Sequence, residues 1–211
     1  DRALFVDENG EILLGDEALA VFACYRVGPG DVVVADVSCS SVVREAVESA
    51  GGRLVESRVG RPFVRELAAR EAATLAGERS GHFYFPEFYY IDDGSLAALK
   101  MAELISEEGG LSSLRGRLPR RVTLQESLEC PDDVKFDVVR MVKGRIEERA
   151  ERVVTVDGVK AYLDGGWVLI RASNTQPRVR VTAEGRDRRE AEDLLKLGRE
   201  LVRSALKEIR G

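Results

Sequence analysis

Val32-Val33-Val34-Ala35, a run opened by Ser40-Ser41 and reaching Ala50, the pair Gly51-Gly52, then Arg53-Leu54-Val55-Glu56: this stretch decides the fold. Four consecutive apolar residues read as a short strand covered on both faces, the signature of a sheet sandwiched by helices. A serine then offers its side-chain oxygen to the free N–H groups of a helix start, and two glycines stop that helix. A second short apolar run follows at once. Strand, helix and strand within so few residues require a crossover, and crossovers join parallel neighbours in one sheet.

The same alternation extends outward from this centre. Upstream, Ala3-Leu4-Phe5-Val6 and Glu11-Ile12-Leu13-Leu14 flank the turn residues Asp7-Glu8-Asn9-Gly10, which predicts a hairpin. Asp16 stands where an N-cap belongs, before a helix from Glu17 to Tyr25, and Gly28-Pro29-Gly30-Asp31 interrupts the chain. Downstream, the pattern predicts a helix over Pro62 to Ala76, a strand over His82 to Phe85 and a helix over Ser95 to Glu107.

Beyond Gly109-Gly110 the pattern changes. Ser112 to Pro119 is short, basic and turn-rich, as a linker between domains would be. A strand (Arg121 to Glu126) and a long helix (Pro131 to Arg149) follow. Successive strands then come at Val153–Val156, Val159–Leu163, Trp167–Ile170 and Val179–Thr182, before a closing amphipathic helix from Asp187 to Ile209. Asp157-Gly158 and Asp164-Gly165-Gly166 are hairpin turns. The expected fold is therefore α/β, a mixed sheet with helices on both faces, followed by a smaller α+β domain with an antiparallel sheet.

The composition of the 211 residues, 44 % apolar and 33 % charged, is that of a water-soluble globular chain. No apolar run approaches the roughly 20 residues of a membrane-spanning helix, and the first residues do not read as a signal peptide. The three cysteines are scattered, so neither a disulfide framework nor a zinc motif is expected; they read as small buried hydrophobes in a reducing, cytoplasmic compartment. A formal net charge of −5 gives no general attraction to nucleic acid or anionic membrane, and neither is expected as a partner. Few Asn and Gln, abundant Glu and Arg, and a single His lean toward a thermophilic source.

Two loops carry chemistry. In Gly77-Glu78-Arg79-Ser80-Gly81-His82, an extended backbone would point Glu78, Ser80 and His82 to one side. A carboxylate there can accept from two neighbouring sugar hydroxyls, the serine can donate or accept, and the imidazole can move a proton near neutral pH. The bland alternative is a polar turn with a structural histidine. In Arg171-Ala172-Ser173-Asn174-Thr175-Gln176-Pro177-Arg178, a guanidinium, two hydroxyls, an amide and backbone N–H groups gather between two strands, and no carboxylate lies between Trp167 and Thr182. That is the donor set of an anionic phosphate. The alternative is a plain polar hairpin with Asn174 in a left-handed turn position. Arg178 and Arg180 share the strand face opposite Val179 and Val181, and either can supplement an anion site or simply be solvated.

The loops also resemble a known family. Gly-Glu-x-Ser-Gly-His, followed by Asp92-Asp93-Gly94 and a helix containing Ala97-Ala98-Leu99-Lys100 and Glu103-Leu104, resembles the third domain of α-D-phosphohexomutases. Arg-x-Ser-Asn-Thr-x-Pro at Arg171 to Pro177 resembles their fourth-domain phosphate loop. Val59-Gly60 before Phe63 matches a recurrent third-domain position. Asp1-Arg2, with Val6-Asp7, Gly10 and Gly15-Asp16, resembles the segment where an aspartate-rich metal loop ends and domain 2 finishes.

By that resemblance, residues 1–26 are the end of domain 2, 27–111 the sugar-recognition domain 3 and 112–211 the phosphate-binding domain 4. The complete enzyme would be an isomerase, a phosphomannomutase/phosphoglucomutase working through a phosphoserine and a bisphosphate intermediate. Glu78, Ser80 and His82 would hold the sugar, while Arg171, Ser173, Asn174, Thr175 and Arg180 would grip the phosphate not being transferred. His82 is the candidate proton-transfer residue and Arg2 would stand beside the transferring phosphoryl. Asp1 would be the last ligand of a magnesium ion whose other aspartates, like the serine, belong to amino-terminal domains 1 and 2 that this chain lacks, leaving it inactive alone. Some relatives carry a lysine at the place of Ser38 and a histidine at that of Arg61. Ser-Asn-Thr in the second loop favours the phosphomannomutase/phosphoglucomutase branch over phosphoglucosamine mutase. The other readings are a non-catalytic phosphosugar-binding module and a subunit of a split mutase.

Overall fold

Strand β3 (Val32–Asp36) is the centre of the first half of the molecule, because both of its faces are buried. In the computed structural model, which describes residues 1–211, the chain separates into two units, residues 1–119 and 120–211. In unit 1 the hairpin strands β1 (Phe5–Val6) and β2 (Ile12–Leu13) precede helix α1 (Gly15–Arg26). After β3 come α2 (Ser41–Ser49), β4 (Arg53–Ser57), α3 (Arg61–Arg70), β5 (Leu75–Gly77) and β6 (Phe83–Tyr84). Helices α4 (Gly94–Glu108) and α5 (Leu111–Gly116) close the unit.

The four-stranded sheet has the order β4-β3-β5-β6, with the first three strands parallel and β6 antiparallel. Val33 and Ala35 point into one core with α1, α2, α4 and α5, whereas Val34 points into another with Val64 and Ala68 of α3. Alternation along one strand thus places helices on both faces. Phe5 from the hairpin joins Phe22, Phe83 and Phe85 in an aromatic cluster of edge-to-face and tilted pairs, with centroid separations of 5.6–6.1 Å.

Several expectations need correction. The helix predicted to run to Ala76 stops at Arg70, and Leu75–Gly77 is a fully buried strand. Ala72 takes a left-handed φ of 49°, and the Ala73 N–H closes back onto the Ala68 carbonyl. That is a helix-terminating motif which normally uses glycine, so the alanines hid the stop. Asp16 does not cap α1; the cap position is Leu14, and Asp16 is buried in the first turn, accepting from the Ser40 N–H at 2.9 Å. The segment read as a linker contains α5, whose Leu111 and Leu114 are buried in the core of unit 1. Cys39 and Cys130 are buried as expected, but Cys24 is exposed near the end of α1.

Unit 2 holds β7 (Val122–Glu129), α6 (Lys135–Glu147), β8 (Arg152–Val154), β9 (Val159–Leu163), β10 (Gly166–Ala172), β11 (Arg178–Gly185) and α7 (Arg188–Arg210). The antiparallel sheet runs β7-β11-β10-β9-β8. Val168, Ile170, Val179, Val181 and Ala183 pack on one face against apolar residues of α6 and α7. Gly198 of α7 lies where a Cβ would come within 2.6 Å of Val181, so only glycine lets the helix sit this close. No helix is long and apolar enough to cross a membrane.

Candidate functional site

The loop of unit 1 is not extended. The Gly81 N–H closes a turn onto the Glu78 carbonyl, and the Glu78 N–H donates to the His82 carbonyl at 2.9 Å. Since β5 and β6 are antiparallel, with Gly77 opposite Phe83, the next pair outward is Glu78 opposite His82. The two side chains therefore share a face by cross-strand pairing, whereas Ser80 sits exposed at the turn tip. The turn is wedged from below and above. A Cβ on Gly15 would lie 2.6 Å from the Arg79 carbonyl oxygen, and one on Gly81 (φ 87°) would lie 2.6 Å from that of Ala3. The Ala3 N–H also donates to the Gly81 carbonyl at 2.9 Å, which brings Arg2 over the turn.

The His82 tautomer follows from its neighbours. Arg2 Nε, which can only donate, lies 3.1 Å from His82 Nε2, so that nitrogen is the acceptor and the proton sits on Nδ1. His82 Nδ1–H then donates to Asp92 Oδ2 at 2.8 Å. Arg61 completes the network, donating to Asp92 Oδ1 and to Asp1 Oδ2, each at 3.0 Å. Burial holds the His82 pKa below its ordinary value, against the opposing pull of Asp92, so the ring is neutral near pH 7.

Glu78 is equally constrained. Its side chain is buried and accepts from the Tyr84 hydroxyl, two residues beyond His82 on the same face. Burial raises the Glu78 pKa, with Asp36 and Asp92 adding to the rise, and burial likewise pushes the Tyr84 hydroxyl upward. Asp36, at the end of β3, accepts from the Arg79 N–H at 2.9 Å and from the Ser38 N–H at 2.7 Å, tying the turn to the central strand. Asp36, Tyr84 and the role of Asp92 were missed by the sequence reading. The one signal was Asp92 in Asp92-Asp93-Gly94, which also caps α4 through Asp93.

In unit 2 the second loop joins β10 to β11. Register pairs Arg171 directly with Arg180, so of the two arginines on that strand face it is Arg180, not Arg178, that stands beside the loop's guanidinium. Arg178 is opposite Glu129. Arg171 is buried and points NH1 at Asp157 Oδ2, 3.4 Å away. The half-buried Arg180 has its Nε enclosed without any hydrogen-bond partner. Like charges opposite each other in a sheet repel, and an enclosed N–H without an acceptor is costly. Ser173 is buried, with its N–H on the Arg178 carbonyl at 2.9 Å, while Asn174 and Thr175 are exposed. Asn174 does not take the left-handed conformation that a plain hairpin would ask of it.

For magnesium, Asp1 is the one residue that the resemblance names in this chain, and it faces Arg61. No group of three or more His, Cys, Asp and Glu side chains is arranged to hold a metal. A single carboxylate paired with a guanidinium does not fit an ion that demands an octahedral oxygen shell.

An α/β unit with a Glu–His turn, followed by an α+β unit with an arginine-flanked loop, is the domain order of the α-D-phosphohexomutases. Two family models match in that order. Residues 14–122 match the phosphoglucomutase/phosphomannomutase alpha/beta/alpha domain III, and residues 128–197 match the phosphoglucomutase/phosphomannomutase C-terminal domain. The chain belongs to this family. It is 38 % identical to a probable phosphoglucosamine mutase of Methanopyrus kandleri, over 100 % of this chain and 47 % of that protein. It is 31 % identical to a phosphoglucomutase/phosphomannomutase of Thermococcus kodakarensis, over 98 % of this chain and 46 % of that protein. A phosphoglucomutase/phosphomannomutase family protein of Burkholderia thailandensis superposes with a TM-score of 0.86 at 27 % identity, covering 97 % of this chain and 44 % of that one. The chain thus spans about half the length of the relatives it matches.

Proposed function

We propose that this chain supplies the sugar- and phosphate-recognition half of a hexose-phosphate mutase, interconverting hexose 1-phosphate and hexose 6-phosphate through a phosphoserine that lies outside it. The observation that carries this reading is the Arg171–Arg180 pair, two arginines set opposite each other in the strand register at the base of the loop that holds Ser173, Asn174 and Thr175. Arg171 already faces Asp157, and a phosphate dianion bound there would add a second anion between the arginines and give Arg180 Nε an acceptor. Held far from the reacting bond, it would supply remote binding energy common to both orientations of the substrate.

In unit 1, Glu78 would accept from sugar hydroxyls, with Tyr84 fixing its carboxylate. Ser80, at the exposed tip, would add a donor. His82 would serve as the proton-transfer group through Nε2, the nitrogen that carries the lone pair. Arg2 occupies that lone pair here. A phosphoryl group drawing Arg2 to itself would free it. A magnesium ion would need its carboxylates from beyond this chain.

The outer face of the hairpin favours a partner on this side. Leu4, Val6, Ile12 and Leu14 are 47–67 % exposed, a stripe of aliphatic side chains on a two-stranded sheet too small to be stable by itself. The amino-terminal domains implied by the family would cover it.

The test is a mutase assay on the full-length gene product with mannose 1-phosphate, glucose 1-phosphate and glucosamine 1-phosphate. Turnover of at least one supports the reading; none, with a folded and phosphorylated protein, sinks it. Glucosamine phosphate is included as a second reading because five relatives of 35–38 % identity are named probable phosphoglucosamine mutases. The 211-residue chain alone should bind phosphosugar without turning it over.

A further inference from the structure

Lys135, the first residue of α6, is buried, with 5 % of its surface exposed, and lies behind the loop that joins β10 to β11. Its ammonium donates to the Ser173 carbonyl at 2.7 Å, to the Gln176 carbonyl at 3.3 Å and to Asp132 Oδ1 at 2.7 Å. Buried lysines are rare because the charge loses its hydration, so a fully engaged one marks a position where the charge or its donors are used. Asp132 is itself mostly exposed, its side chain 68 % accessible, so that ion pair is open to screening, while the two carbonyls tie the ammonium to the loop.

We propose that Lys135 is the positioning residue of the phosphate loop. The inference rests on the reading of Ser173–Gln176 as an anion site. Two carbonyls drawn inward at the ends of a short loop turn the peptide planes between them. The Asn174 N–H, which shares a peptide plane with the Ser173 carbonyl, then faces away from the ammonium, and the N–H groups of Asn174, Thr175 and Gln176 meet no acceptor within the protein. Successive N–H groups without internal acceptors are donors that an anion can use. The ammonium, reaching the loop from the start of α6, fixes the loop carbonyls on the inner side. Lys135 touches no substrate in this scheme; it shapes and polarises what does.

The experiment is titration of inorganic phosphate into the 211-residue chain, followed by calorimetry and by the backbone amide resonances of Asn174, Thr175 and Gln176. The unaltered chain should bind, with those three resonances moving together, and Arg171→Ala should weaken binding. Lys135→Met should weaken phosphate affinity about tenfold, the loss of a charge-assisted contact. It should also displace the loop resonances before phosphate is added, while those of Val168, Ile170 and Val181 in the sheet stay in place. Lys135→Gln, which keeps a neutral donor for one carbonyl and is the gentler change for the fold, should fall between the two. Unaltered affinity in either folded variant, alongside weakened Arg171→Ala, would overturn the role of Lys135 and leave the anion site standing. Absence of phosphate binding by the unaltered chain would remove the anion site and this inference with it.

Discussion

The two loops solve recognition in opposite ways. The Glu78–His82 turn is wired internally: each titratable side chain already has a protein partner, and the turn is wedged by Gly15 and Gly81. The loop after the buried Ser173 is exposed from Asn174 to Pro177, is flanked by two arginines of which Arg171 faces the carboxylate of Asp157, and leaves Arg180 Nε without an acceptor. A site that must orient hydroxyls and a proton needs its tautomer and carboxylate fixed in advance. A site that grips a dianion gains from unbalanced positive charge, at some expense to the stability of the unliganded fold. The difference teaches that here rigidity accompanies stereochemical recognition and electrostatic frustration accompanies charge recognition.

The strongest way to break this comparison is Arg171→Ala. It should cost glucose 1-phosphate binding about 1.5–3 kcal/mol, one charge-assisted contact, measured by calorimetry. Unchanged affinity would mean that the paired arginines of unit 2 do not hold the phosphate. Asp92→Asn attacks the other side. Removing the acceptor common to His82 and Arg61 should destabilise the chain by about 1–3 kcal/mol in urea unfolding, with inorganic phosphate affinity retained. A fold indifferent to Asp92→Asn would show that the network is not prewired.

A subtler test uses pH, because the two buried groups pull in opposite directions. The folded His82 pKa lies below 6.5, so below that pH the unfolded chain binds the proton more readily and stability falls with acidification. His82→Gln should flatten that loss. The folded Glu78 pKa lies above 4.5, so its contribution is complete below 4.5 and fades as pH rises through the folded value. Glu78→Gln should therefore be more stable than the unaltered chain at pH 7, by a margin that closes toward pH 4. Melting curves across that range decide both. The smallest effect is expected at the turn tip. Ser80→Ala should change stability by less than about 0.5 kcal/mol, and its consequence should appear only in sugar affinity.

Much of this was legible in the sequence. The β3–α2–β4 unit, the hairpin turns of the second half and the two polar loops all carry local signals: apolar runs, caps and glycine-bearing turns. Where local chemistry misled, the reason is specific. Leu75-Ala76-Gly77 follows an alanine-rich helix, and nothing local distinguishes it from more helix. It is a strand because it completes hydrogen bonds with Val33–Ala35, residues more than forty positions earlier. Ser112–Pro119 looked like a linker because its apolar residues are few, Leu114 and Leu118, and their value, like that of Leu111 before them, depends on the core waiting for them.

The sites divide along the same line. The sequence by itself determined which groups are present, namely a carboxylate and an imidazole in one loop and arginine, hydroxyls and an amide in the other, because residue identity is local chemistry. Only the tertiary structure decided which of them act together. Cross-strand register made partners of Glu78 and His82 and removed Ser80 to the tip. Register also chose Arg180 over Arg178, two positions apart on one face, because only Arg180 is paired with Arg171. Asp92 came to His82 from beyond the next strand, and Lys135 came to the phosphate loop from the start of α6. Contacts between residues far apart in the chain are set by packing and register, which no local pattern contains.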